Sequence, residues 1–230
     1  MTVPQLQTRV VTEGPQRLRM SYEEFLEWAD EDTRAEWVEG EVIVYMPPRN
    51  EHQIIVEFLE RLLALFVEWM GLGMVRIAPF EVKLWPGGPA REPDVFFLAK
   101  EHKNALGSRR LAGPPDLVVE VVSPGSVQED RSRKFRDYET AGVREYWIVD
   151  SRPGYRRADF YRLDEDGRYE LFATEDDEVV HSAVLADFWL RPAWLWQKPL
   201  PNPLLVLAEI VGPERLIEVL RDVSQEAHDG

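Results

Sequence analysis

Six residues, Leu117-Val-Val-Glu-Val-Val122, constrain the fold of this chain more than any other stretch. All but one are aliphatic, so the run reads as a strand buried on both faces, near the centre of a sheet. Such a strand needs cover on each side. Asn50 to Met70 supplies one cover: Ile55, Phe58, Leu59, Leu62, Leu65, Phe66 and Trp69 recur at helical spacing, and Gly71 follows as a stop signal. A second helix is expected from Ser126 to about Ala141, opened by a Ser126…Glu129 capping box and closed by Gly142.

Shorter elements surround these three. Ser21 with Glu24 forms another capping box, opening a short helix to Asp30. Ala35 to Tyr45 reads as a hairpin turning at Glu39-Gly40. One or two strands are expected in Val75 to Leu84, and further strands at Asp94 to Leu98 and Tyr146 to Val149. Ala158 to Leu163 and Arg168 to Phe172 flank a turn at Asp164-Glu-Asp-Gly167. Pro199-Leu-Pro-Asn-Pro203 reads as a linker. Beyond it Pro213-Glu214 can start an amphipathic helix carrying Leu216, Ile217, Val219 and Leu220. The order is that of an α/β or α+β domain on a mixed sheet, with hairpins outside it.

Composition narrows the class. With 230 residues, 44% of them hydrophobic, the chain is long enough for one self-sufficient domain with additions, and it is not intrinsically disordered. The absence of cysteine removes disulfides, thiolate zinc sites and cysteine nucleophiles. Met1 to Val10 has no signal-peptide core and no apolar run approaches membrane-spanning length, so a cytoplasmic chain without membrane partners is expected. The net charge of −15 argues against coating nucleic acid through a whole-surface field. Locally the balance differs: residues 101–150 hold 8 basic against 9 acidic groups, including Arg131, Arg133, Lys134 and Arg136.

Glu120 is the residue out of place, because it shares its strand face with Val118 and Val122. An acid so flanked either meets an arginine as a structural pair or serves as a metal ligand or general base. Asp116 lies on the same strand about 13 Å away, too far for one ion to bridge. Asp94, on another strand, comes within about 5 Å if the two strands are neighbours. Asp94, Glu120, a backbone carbonyl such as that of Val121, and water would make a hard oxygen site suited to Mg²⁺ or Mn²⁺. Lys134 falls on the inward stripe of its helix with Val127, Tyr138 and Ala141. It either snorkels along Phe135 and Tyr138 or places an ammonium over the two acids. His52 shares a stripe with Ile55, Val56 and Leu59, where a hydrogen-bonded structural histidine is the plain alternative to a site residue. Glu41 reads as an exposed strand residue, and Glu175-Asp-Asp-Glu178 as a solvated turn. The phosphate-loop, nucleophile-elbow and zinc-protease signatures are absent.

The succession Pro93-Asp94, Asp116-Leu-Val-Val-Glu120-Val-Val-Ser-Pro124, Asp130-Arg-Ser-Arg-Lys134 and Ala141-Gly-Val-Arg-Glu-Tyr-Trp-Ile-Val-Asp150 resembles the Uma-two restriction-endonuclease family, within the PD-(D/E)XK nuclease superfamily. The similarity runs from about Met20 to Trp196. It implies a restriction-endonuclease-like domain over 20–198, after a leader at 1–19 and before a linker and helical extension at 199–230. It also implies a divalent metal on Asp94 and Glu120, with the Val121 carbonyl as a third contact. The lysine expected two residues after the acid is replaced by Val122, and the resemblance implies that Lys134 supplies it from the next helix. His52 and Glu41 match positions the family keeps, so both enter as site residues. The implied activity is Mg²⁺- or Mn²⁺-dependent hydrolysis of DNA phosphodiester bonds, with Arg131, Arg133 and Arg136 holding the backbone. The rival is a catalytically silent nuclease fold binding nucleic acid or a protein as an accessory of a mobile element or defence system. A homodimer through Leu204 to Val219 is expected.

Overall fold

A computed structural model describes residues 15–30, 33–45 and 47–226. Strand β1 (Gln16–Arg19) leads into helix α1 (Tyr22–Trp28), whose capping box forms as expected: Ser21 Oγ accepts from Glu24 N, and Glu24 Oε2 accepts from Ser21 N. The hairpin follows as β2 (Ala35–Val38) and β3 (Glu41–Val44), with Glu39 and Gly40 both at positive φ, the turn that matches strand twist. Helix α2 (Asn50–Met70) buries Ile55, Leu59, Leu62 and Phe66 along one stripe and ends at Gly71 in the left-handed region.

Next come β4 (Gly73–Ile77), β5 (Glu81–Lys83), β6 (Ala90–Arg91), β7 (Val95–Ala99), β8 (Arg110–Ala112) and β9 (Leu117–Val122). A π-helical turn over Glu129–Arg133 opens α3 (Lys134–Ala141). Then follow β10 (Glu145–Asp150), β11 (Arg157–Leu163), β12 (Tyr169–Thr174) and the short pair β13 (Val180–His181) and β14 (Trp189–Leu190). Helices α4 (Pro203–Val211) and α5 (Pro213–Glu226) close the described chain.

All six residues of β9 are buried, and its strand is central: the main sheet runs β12-β11-β10-β9-β7-β4. β9 pairs in parallel with β10 and antiparallel with β7, so the sheet is mixed. Alternation then divides the strand. Leu117, Val119 and Val121 join the cluster of α2, with Leu59, Leu62, Phe66 and Trp147. Val118 and Val122 join Tyr138 of α3, Tyr146 and Ile148 on the other face. Glu120 shares that second face.

Several expectations need correction. The hairpin is not peripheral: a second six-stranded sheet, β1-β3-β2-β6-β5-β8, incorporates it. Val75 to Leu84 therefore splits between sheets, β4 joining one and β5 the other, with Pro79 between them unable to continue a ladder. The leader is ordered at its end, since Gln16–Arg19 pairs with β3; its residues 1–14 lie outside the described residues. The Ser126…Glu129 capping box does not form. Ser126 Oγ accepts from Ser123 N, and Glu129 instead pairs with Arg17 at 2.6 Å and Arg133 at 2.8 Å. Helix α4 stands where only a linker and one helix were expected; its Val206 and Leu207 are buried in the cluster containing α2. The side chains of Val219 and Leu220, expected on the apolar face of the terminal helix, are outside those described. Among the described residues no helix is long and apolar enough to cross a membrane.

Candidate active site

The two sheets are joined by a three-residue step, Glu92-Pro93-Asp94, between β6 of one and β7 of the other. Val95 pairs with Val119, so the same antiparallel register sets Asp94 beside Glu120. Asp94 Oδ2 accepts from Val121 N at 2.9 Å and from His52 Nε2 at 3.1 Å, and Oδ1 accepts from Arg34 at 2.7 Å. The N–H and C=O of a strand residue point to the same edge, so the Val121 carbonyl lies on the Asp94 side of β9.

Glu120 faces α3. Its Oε1 accepts from Lys134 Nζ and from the Tyr138 hydroxyl, both at 2.9 Å. The π-helical turn turns Glu129 and Asp130 both inward, and Lys134 follows one turn after Asp130. Lys134 Nζ is thus 2.9 Å from Glu36 Oε1, 2.9 Å from Glu120 Oε1 and 3.6 Å from Asp130 Oδ1. Behind it Glu36 Oε2 accepts from Arg91 at 2.9 Å and from Tyr45 at 2.7 Å, and Arg91 Nε reaches Asp137 at 2.9 Å. A cavity of about 360 Å³ is lined by Asp94, Glu120, Val121, Lys134, Asp130 and Glu36, among others.

The electrostatics of the cluster are uneven. Burial would raise the Asp94 carboxyl, but the His52 hydrogen bond, Arg34 and Lys134 outweigh it and hold it well below the carboxylate range. Burial pushes Glu120 well up; Lys134 opposes, while Asp94, Asp130 and Glu36 add to the rise. Asp130 is raised to about 6, mainly by burial. Burial would lower Lys134, yet Glu120 and Glu36 hold its amine well above the usual value, so it is an ammonium. Glu92, in the step between the sheets, is pushed to about 8 by burial and by Glu36.

A divalent cation fits this donor set. Among the described residues Glu120 Oε2 carries no hydrogen bond, Asp94 and the Val121 edge lie beside it, and the three groups all offer oxygen. Among the described residues no three acidic or histidine side chains are grouped to hold an ion. One or two carboxylates completed by water is the usual way magnesium is held.

Asp94, Glu120, Val121, Lys134 and His52 all line this cavity, while Glu41 does not. It sits about a third exposed and pairs with Arg17, outside the cavity lining. The backbone-holding arginines are also largely committed elsewhere: Arg131 bonds Asp159 and Arg133 bonds Glu129, leaving Arg136 exposed with a bond to Ser132. Asp116 is a structural acid, accepting from Ala99 N at 2.8 Å and lying 3.0 Å from His102. Sequence reasoning missed Arg34, Glu36, Tyr45, Arg91 and Asp130. Glu36 carries the same signal as Glu120, an acid between apolar neighbours, Ala35 and Trp37, in a strand.

A mixed sheet with helices on its faces is the restriction-endonuclease-like core expected from the sequence. The chain belongs to the Uma2 family, described as "Putative restriction endonuclease", whose model matches residues 22–193. A solved "putative nuclease belonging to DUF820" from Anabaena variabilis shares the fold, with a TM-score of 0.61 at 18% identity. The match covers 76% of this chain and 96% of that one. No curated protein matches the chain.

Proposed function

We propose that this protein is a metal-dependent endonuclease hydrolysing DNA phosphodiester bonds. The observation that carries the reading is the convergence of Asp94, Glu120 and the Lys134 ammonium on one cavity. Asp94, Glu120 and the Val121 carbonyl would hold Mg²⁺ or Mn²⁺. Such an ion supplies charge to the phosphate and acidifies a coordinated water. The chain's own residues prepare the rest. Val121 N–H and His52 fix the Asp94 carboxylate, which must stay ionised, and the surrounding cations keep it so. His52 donates from Nε2, because an ionised carboxylate only accepts. Lys134, already an ammonium and already placed, stabilises negative charge developing on the phosphate without reorganising.

Incubation of supercoiled plasmid with wild type, Asp94→Ala and Lys134→Ala, with Mg²⁺ or with a chelator, tests the proposal. Wild type nicks only with the metal, and each variant is slower by at least about 100-fold. Equal nicking by all three would assign the activity to a contaminant. A second reading, a nuclease fold that binds without cutting, is favoured by the 2.7 Å bond from Arg34, which occupies one Asp94 oxygen. DNA binding by wild type with no cleavage in Mg²⁺ or Mn²⁺ would select it.

A further inference from the structure

We infer that Glu36 is a positioning residue that holds the Lys134 ammonium in place over the paired acids, making the hairpin-bearing sheet a working part of the site. The inference rests on the reading of Lys134 proposed above. A lysine borne on the following helix reaches the site on four rotatable bonds, so something must fix its amine. Three acids approach it. Glu120, at 2.9 Å, is itself a candidate cation ligand, and a divalent ion there would repel the ammonium. Asp130 stands farther off at 3.6 Å, with an Oδ1 that has no hydrogen-bond partner among the described residues. Glu36, also at 2.9 Å, is the close partner that lies outside the proposed ligand pair.

Glu36 is built to stay still. It is 1% exposed, Arg91 and Tyr45 hold Oε2, and Glu92 N–H donates to Oε1 at 3.1 Å. Arg91, fully buried, is braced in turn by Asp137. Burying this many charges is a poor route to stability, since apolar residues of the same volume usually do as well or better. Fixing one ammonium at a defined point accounts for the arrangement.

The test is a double-mutant cycle on the full chain, using Glu36→Gln, Lys134→Ala and the pair, with plasmid nicking at saturating DNA and Mg²⁺ as readout. Glu36→Gln lowers kcat about 10-fold or more, leaves the KM for DNA within about 2-fold, and adds nothing further in the Lys134→Ala background. A loss of the same size in both backgrounds overturns the inference, because it would be acting on the fold and not through Lys134. Tyr45→Phe, which removes one bond to Glu36 with little change of shape, serves if Glu36→Gln does not fold, and its smaller loss must likewise vanish without Lys134. A measurement independent of cleavage is the ¹⁵N-resolved ammonium signal of Lys134. It exchanges slowly in wild type and in Glu120→Gln, and several-fold faster in Glu36→Gln; an unchanged signal in Glu36→Gln also overturns the inference. A wild type that never cuts would remove the nuclease reading alone, and the ammonium signal would still decide whether Glu36 holds Lys134.

Discussion

Burial alone would keep the Glu36 carboxyl protonated, but Lys134 and Arg91 outweigh it and bring it down to about 2 from 4.5. A folded-state value below the unfolded one contributes stability that is fully present above about pH 4.5 and is lost as pH falls through about 2. The shift corresponds to about 3 kcal/mol. Wild type therefore exceeds Glu36→Gln by a constant margin above pH 5, and the margin narrows steadily toward pH 2. Urea midpoints at pH 3 and pH 7 check this, and a margin equal at both would show that Glu36 is not held ionised. Glu120 is legible in the sequence because it breaks an apolar run, and spacing excludes Asp116 as its partner; that Asp94 stands beside it depends on β7 and β9 being neighbours, which the structure supplies. Glu36, Arg34 and Arg91 are not legible as a group. Glu36 shows locally only as an acid between apolar neighbours; its partners Arg91 and Lys134 come from another strand and from α3, and no local pattern reports that they meet.

Elements whose ends are set by local chemistry match the sequence reading. The Ser21…Glu24 box, the Glu39-Gly40 turn and the Gly71 stop each satisfy backbone groups within a few residues. The helix opened near Ser126 differs, because tertiary partners claim the capping residues: Glu129 serves Arg17 and Arg133, and Ser126 serves the preceding loop. The π-helical turn that results places Glu129 and Asp130 both inside, and no periodicity of 3.6 residues anticipates that. At the hairpin, Gly40 has φ 82°, and an added Cβ would meet nothing within 4 Å. Gly40→Ala is thus a test of backbone conformation alone. It costs about 1 kcal/mol or somewhat more, read from chemical denaturation. A stabilised variant would show that the turn does not need its left-handed residue.

The whole molecule brings its chemistry together where two sheets meet. Arg91 ends a strand of one, Asp94 precedes a strand of the other, and the three residues after Arg91 cross between them. The main mixed sheet and its covering helices are legible from β9 outward, since a strand buried on both faces dictates both covers. The second sheet is less so: β5, β6 and β8 have only two or three residues each, too short for a period to register. A net charge of −15 leaves the cavity's own balance undetermined, because Arg34, Lys134 and Arg91 are each matched by a named acid. Whether the acids of this junction form a cation site is decided by titrating the protein with Mn²⁺ and following free ion by electron paramagnetic resonance. One site is expected in wild type and in Lys134→Ala, and none in Asp94→Asn or Glu120→Gln. Binding of equal strength in all four proteins, or in none of them, would contradict it.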